Sequence, residues 1–209
     1  MTIPYFITKH TFRIVAKILW RHRLFFPERV QVEGPCLIAV NHASFLDPLA
    51  VGSFFPGSIY YLARKTLFHG FLAWLLPRLQ ALPVDQDNPE VSTLKRMVKV
   101  LKDGHKLLIF PEGERTWDGH LKISGEAGVG FVAAKAGVPV LPVRIFGAYE
   151  AYPRGAKFPK PGRVSVVPGP LLDFGKFPEE SGLSGKELYQ AISDRIMQAI
   201  AAIELPGGA

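Results

Sequence analysis

The tightest constraint on this chain is a set of short, wholly apolar runs that each end abruptly in a polar cluster. Cys36-Leu-Ile-Ala-Val40 runs straight into Asn41-His42, and Leu107-Leu-Ile-Phe110 runs into Pro111-Glu112. Four or five apolar residues without alternation suit a strand buried on both faces, between two layers of helix. Residues 58–63, 81–84, 138–145 and 163–167 supply further strand candidates, 138–145 despite its two prolines.

Helical patterns fill the intervals. Asp47-Pro48 reads as a helix start, because an aspartate can cap free amides and proline suits the first turn. Residues 67–76 form a short apolar helix closed by Pro77. Residues 89–102 carry Val91, Leu94, Val98 and Leu101 on one stripe, with Gly104 placed as a stop. Residues 125–136 can form a glycine-rich helix. A last helix starts at Ser184, where Ser184 and Glu187 match a capping box and Leu188, Ile192, Ile196 and Ile200 repeat every four residues. Strands separated by helices predict an α/β fold: a single layered domain with a largely parallel central sheet flanked by helices, plus an N-terminal amphipathic helix. The length, 209 residues, supports one sizeable core.

Composition narrows the function classes. An apolar fraction of 48% with 15 phenylalanines excludes a disordered chain. The formal net charge of +7 favours an anionic partner: nucleic acid, a lipid surface, an acidic carrier protein or a phosphorylated metabolite. Lys9, Arg13, Lys17, Arg21, Arg23 and Arg29 face only Glu28 within residues 1–30, so most of that excess is N-terminal. At helical spacing, residues 4–24 spread Lys9, Arg13, Lys17 and Arg21 over one broad face. Ile7, Phe12, Ile14, Val15, Ile18 and Leu19 cover most of the rest. Such a helix can lie in a membrane interface or pack on the core with its cations solvated, and both can hold in part. No nucleic-acid docking motif accompanies the charge, so nucleic acid is not the expected partner. The only cysteine, Cys36, offers neither a disulfide framework nor a thiolate metal site, and its apolar run marks a buried thiol. His42 and Asp47 alone do not make a metal site, and no metal is expected. No stretch approaches the roughly 20 apolar residues that span a bilayer, and no secretory signal is evident.

In α/β folds, sites lie beyond the carboxyl ends of strands. Three polar clusters occupy such places: Asn41-His42 through Asp47, Arg64-Lys65, and Glu112 through Arg115. A histidine can take a proton from a hydroxyl while a carboxylate fixes its tautomer. Five residues of separation works if His42 sits on a strand-to-helix turn and Asp47 in the first helical turn. A cap and a polar turn explain the same spacing without chemistry. Arg115 has the fork that suits phosphate, Arg64 or Lys65 can approach the same oxygens, and Glu112 can accept bonds from polyol hydroxyls. Glu114 reads equally as part of a salt-bridged turn.

Together these residues resemble a known family. Asn41-His42-Ala-Ser-Phe-Leu-Asp47 is similar to the NHx4D motif of the glycerolipid acyltransferases, the 1-acylglycerol-3-phosphate acyltransferase group. Phe110-Pro-Glu-Gly-Glu-Arg-Thr116 resembles its FPEGTRS motif. Ala63-Arg64-Lys65 with Leu67-Phe68, and Val138-Pro-Val-Leu-Pro-Val143, resemble the intervening and last blocks.

The resemblance implies that His42 is the general base and Asp47 its partner. It places Arg64, Lys65, Glu112 and Arg115 in the acceptor pocket, with Gly113 keeping the turn tight. It implies acyl transfer from acyl-CoA or acyl-acyl-carrier-protein, a cosubstrate rather than a cofactor, to a lysophospholipid acceptor. Expected partners are an anionic membrane surface and an acyl carrier protein, at the cytoplasmic side of the cell membrane. Residues 1–30 would be a membrane-association segment and residues 31–209 the acyltransferase domain. Glu114 departs from the usual threonine, which signals an altered acceptor or an outward-facing side chain. No role passes to Lys122, where the match is loose.

Overall fold

The computed structural model describes residues 1–85 and 91–207. Its centre is β2 (Cys36–Val40), every residue of which is buried. Alternation along this strand sends Cys36, Ile38 and Val40 into one hydrophobic cluster and Leu37 and Ala39 into the other. Burial on both faces is the reason the run is apolar without a polar beat.

Five strands form the main sheet, in the order β1 (Arg23–Leu24), β7 (Ser165–Pro168), β6 (Val140–Phe146), β2, β5 (Lys106–Ile109). All neighbours are parallel except β6 and β7. A parallel pair, β3 (Tyr61–Arg64) and β4 (Ala81–Val84), extends this layer. Tyr60 joins it to β5 through a bridge to Leu107 before the strands diverge. The α/β expectation holds, with one antiparallel pair at the β7 side.

Helices cover both faces. On one lie α1 (Ile3–Trp20) and α2 (Asp47–Gly52), with Tyr5, Ala16, Trp20, Ala50 and Val51 in the first cluster. On the other lie α4 (Val91–Lys102), α5 (Ala127–Ala136) and α8 (Gly185–Ala201). All four residues of the expected α8 stripe, Leu188, Ile192, Ile196 and Ile200, are buried there. Helices α5 and α8 approach so closely that a Cβ on Gly130 would stand 1.7 Å from the Tyr189 carbonyl oxygen. Short helices α3 (Gly70–Arg78), α6 (Ala148–Ala151) and α7 (Phe177–Ser181) complete the chain.

Several details differ from the sequence pattern. Helix α1 stops at Trp20 because Arg21 adopts a left-handed conformation (φ 43°), which frees residues 23–24 to pair with β7. In α4 the buried residues are Thr93, Met97 and Leu101; Val91 is exposed, while Leu94 and Val98 are partly buried. The expected start of that helix at residues 89–90 lies outside the described residues. Pro77 sits inside α3 rather than closing it. Ser184 precedes α8 without a side-chain capping bond, so no capping box forms.

Helix α1 is docked and exposed at once. Its N-terminus is capped by Thr2, whose hydroxyl accepts from the Tyr5 amide, and Trp20 Nε1 donates to the Lys160 carbonyl. Lys9 Nζ donates to the carbonyls of Phe55 and Gly57. Ile3, Phe6, Ile7, Ile14, Val15, Ile18 and Leu19 nevertheless remain exposed. Helix α3 is apolar yet has no buried residue, and Phe71, Leu72 and Trp74 face outward. Among the described residues no helix is long and apolar enough to cross a membrane.

His22, between α1 and β1, is buried against Phe54 with ring centroids 4.4 Å apart, and among the described residues its Nε2 has no partner. Burial, and secondarily the charge of Arg13, push its pKa down to about 4. The unfolded chain therefore binds more protons than the folded one between about pH 4 and 6.5, so stability rises with pH across that window. This contribution, on the order of 3 kcal/mol, is complete above about pH 6.5 and is lost as pH falls towards 4. Urea unfolding of the wild type and of His22→Phe across this range should show the extra slope in the wild type alone.

Candidate functional site

Parallel pairing of β2 with β5 sets Ala39 opposite Ile109. His42 and Glu112 each lie three residues further on, so both leave the sheet at the same edge. Asn41 fixes that exit from the other side. Its side chain accepts from the Ile145 amide at 2.7 Å and donates to the Ile145 carbonyl at 3.2 Å, tying the end of β2 to β6.

Beyond Asn41 the chain curls around the carboxylate of Asp47, which is fully buried. Asp47 Oδ2 lies 2.9 Å from His42 Nδ1 and accepts the amides of Ala43 and Ser44, both at 2.7 Å. The aspartate thus caps the turn before α2 rather than the helix itself. An oxygen that already accepts two amide protons is placed to accept a third, so the contact suits the tautomer with hydrogen on His42 Nδ1, whose neutral ring offers Nε2 as an acceptor. The imidazole stacks on Phe110, with centroids 3.7 Å apart and planes 11° from parallel. Its backbone is held too: the His42 carbonyl accepts from the Thr116 amide at 2.9 Å.

Glu112 is 2% exposed, and its two oxygens are engaged by main chain. Oε1 accepts the His42 amide at 2.6 Å and Oε2 the Lys122 amide at 3.3 Å. Burial raises its pKa, opposed by those two bonds and by the charges of His42 and Lys122. The carboxylate that sequence reasoning offered to substrate hydroxyls is thus the tie between the two motif loops. Gly113 sits at φ 75°, a conformation that favours glycine, and a Cβ there would press on Glu126 at 3.0 Å. A polar cavity of about 130 Å³ opens beside this tie, lined by Asn41, His42, Glu112, Thr116, Arg144 and Tyr149 among others.

The cations are arranged less tightly. Arg115 is half-buried, its guanidinium 5.8 Å from the centre of the Phe45 ring. Its pKa is lowered first by burial, then by the neighbouring charges of Arg154 and Arg64, while Asp47 and Tyr152 oppose the shift. Arg64 ends β3 within electrostatic range of Arg115 and is exposed. Lys65 is also exposed, on the 3-10 turn Lys65–Leu67, and among the described residues makes no bond to His42, Glu112 or Arg115. Glu114 faces outward between Arg154 Nη1 at 3.1 Å and Lys122 Nζ at 3.5 Å. Arg154 and the Phe110 stack were invisible to sequence reasoning. Arg154 sits in a proline-glycine loop 39 residues beyond Arg115, and nothing local marks it.

Comparison with known proteins places this arrangement in context. Residues 22–146 match the acyltransferase family. A 1-acyl-sn-glycerol-3-phosphate acyltransferase of Bacillus subtilis is 26% identical over 194 residues, covering 92% of each chain. A chloroplastic enzyme of the same description from Arabidopsis thaliana is 31% identical over 167 residues, 74% of this chain and 46% of the plant protein. The crystal structure of the 1-acyl-sn-glycerophosphate acyltransferase PlsC from Thermotoga maritima superposes with a TM-score of 0.71 at 22% identity. That match covers 96% of this chain and 81% of PlsC, which establishes a shared fold.

The Glu112 tie makes a direct prediction. A glutamine at 112 offers one accepting oxygen where two amides need acceptors, and turns its NH2 group against the part-buried N–H that loses its partner. Glu112→Gln should lower stability by about 1–3 kcal/mol in denaturant unfolding.

Proposed function

Since the chain belongs to the acyltransferase family, we propose that it transfers a fatty acyl group from an acyl-CoA or acyl-acyl-carrier-protein thioester to the free hydroxyl of 1-acylglycerol 3-phosphate, forming phosphatidic acid. The observation that carries this reading is the His42–Asp47 pair at 2.9 Å, which leaves Nε2 of the ring as the acceptor, with Asp47 within electrostatic range of Arg115. His42 Nε2 takes the hydroxyl proton as the oxygen attacks the thioester carbonyl carbon. Asp47 holds the tautomer and stabilises the imidazolium that forms. The tetrahedral intermediate collapses with cleavage of the C–S bond, and the imidazolium returns its proton to the departing sulfur. The products are an ester and a free thiol, with no acyl-enzyme, and buried Cys36, whose thiol burial pushes up to about 12, takes no part.

Arg115 and Arg64 supply the charge for an acceptor phosphate. Glu112 positions His42 through its amide, and Gly113 permits the turn that aims Arg115. Lys65, exposed at the same edge, serves the approach of anionic ligands rather than a fixed contact. The Bacillus and Arabidopsis relatives share the named substrate class, which supports the choice of acceptor. Transfer to glycerol 3-phosphate or another lysophospholipid uses the same base and the same cations, and a panel of acceptors with one donor separates these readings.

Residues 1–30 serve as a membrane-association segment at an anionic surface. The outward Ile3, Phe6, Ile7, Ile14 and Ile18 of α1, with Phe71 and Trp74 of α3, support attachment in the interface plane. Because Tyr5, Ala16 and Trp20 of α1 belong to the core, point substitution is a cleaner test than truncation.

Two outcomes are expected. His42→Ala should remain folded, with an unfolding midpoint close to wild type, and reduce acyl transfer at least about a hundredfold, the lower range for loss of a general base. Near wild-type turnover would remove His42 from the mechanism. Ile14→Glu with Ile18→Glu should reduce co-sedimentation with vesicles of phosphatidylglycerol and phosphatidylethanolamine; undiminished binding would exclude this face.

A further inference from the structure

The loop after α6 contributes a cation that lies outside all of the motifs. Arg154 Nη1 donates to Glu114 Oε2 at 3.1 Å and to the carbonyl of Arg115 at 3.3 Å. Its guanidinium lies 3.5 Å above the centre of the exposed Trp117 ring. The backbone carbonyl of Trp117 accepts in turn from the Tyr149 hydroxyl at 2.8 Å. Two residues before Arg154, the Tyr152 carbonyl accepts from the Ser44 hydroxyl at 2.9 Å. Arg154 is therefore fastened both to the turn that carries His42 and to the loop that carries Arg115.

The charge balance at this point is unusual. Arg115 makes no ion pair among the described residues, although it is half-buried. Arg154 and Lys122 share one exposed carboxylate, Glu114. After burial, the charges of Arg154 and Arg64 are what lower the Arg115 pKa, and Arg154 is also held against the Arg115 carbonyl at 3.3 Å. Arg115, with no ion pair among the described residues, beside Arg154, whose exposed carboxylate is shared with Lys122, leaves a place for a multivalent anion. A phosphomonoester is a compact dianion with three oxygens, and two guanidinium forks can grip it where one carboxylate cannot satisfy both.

We propose that Arg154 is a further arm of the acceptor-phosphate site, and that Glu114 stands in for the phosphate until the acceptor arrives. This rests on the acceptor reading given above. The carboxylate at 114 then competes with substrate for Arg154, and its release to solvent is inexpensive because it is exposed. The pair is a tuning device: Arg154 strengthens capture of a phosphorylated headgroup, and Glu114 weakens it, which keeps the site from holding every phosphate it meets.

The two partners of one ion pair thus have opposite expected effects. Titration calorimetry with sn-glycerol 3-phosphate as the probe should show about tenfold weaker binding for Arg154→Ala, the loss of one charge-assisted contact, with partial recovery in Arg154→Lys. Glu114→Gln should bind about threefold more tightly, the range expected for removal of an exposed competing ion pair. If the pair merely braces the loop, both substitutions break the same brace and shift affinity in the same direction. That result, unchanged affinities, or no binding by the wild type would overturn the proposal. Coenzyme A also carries a phosphomonoester, and a parallel titration with it separates the sources: a loss confined to coenzyme A assigns Arg154 to the donor and overturns the acceptor assignment. Thermal unfolding of each variant reads folding independently. Acyl transfer is assayed separately, so binding without turnover counts against the proposed reaction and leaves the anion site standing.

Discussion

The site depends on one buried carboxylate oxygen, Asp47 Oδ2, and the three donors that converge on it. Two of them, the amides of Ala43 and Ser44, force the chain leaving β2 to curl inward before α2 begins. The third is His42 Nδ1, so the turn that satisfies the carboxylate also orients the ring. Phe110 then closes the face of the ring from β5, and Glu112 reaches back to the His42 amide. Asp47 Oδ1 has no partner among the described residues. A buried carboxylate with one overloaded and one unpaired oxygen is poor as a stabilising device, and such groups concentrate where function requires them.

The parts of the fold legible in the sequence are those whose burial is complete. The β2 run was readable because both its faces meet helices, and the α8 stripe because Leu188, Ile192, Ile196 and Ile200 all point into one cluster. Features set by distant partners were not. The end of α1 depends on β1 pairing with β7, over 140 positions away, and no local residue announces it. In α4, Val91 and Thr93 offer competing stripes, and packing decided for the threonine side. At the site, spacing alone predicted that His42 and Asp47 could meet across a turn. It could not show that the Glu112 oxygens were taken by amides, because backbone donors carry no sequence signature. Arg154 stayed hidden for a related reason: its loop is joined to the motifs through Ser44, Glu114 and the Arg115 carbonyl, contacts between residues far apart in the chain.

The same physical division separates chemistry from surroundings. His42 and Asp47 are held by backbone amides and by Glu112, with Asp47 fully buried, whereas the cations of the proposed phosphate site are half-buried or exposed. Lys65 and Arg64 are exposed, Arg115 is half-buried, and Arg154 is shared with a carboxylate. Large apolar side chains are also exposed at Phe45 and Trp117 beside Arg115 and Arg154, and on α1 and α3. The acyl transfer proposed for this chain calls for this combination: a fixed base, an anion site, and apolar ground on which a chain can arrive.

The most direct test is the tautomer of the His42 ring, read by nitrogen-15 NMR of histidine-labelled protein. If Asp47 orients the base, the neutral ring carries its proton on Nδ1, and Asp47→Asn redistributes that proton between the two nitrogens. A neutral His42 ring protonated on Nε2 in the wild type, or a tautomer indifferent to Asp47→Asn, would contradict the role given to this pair.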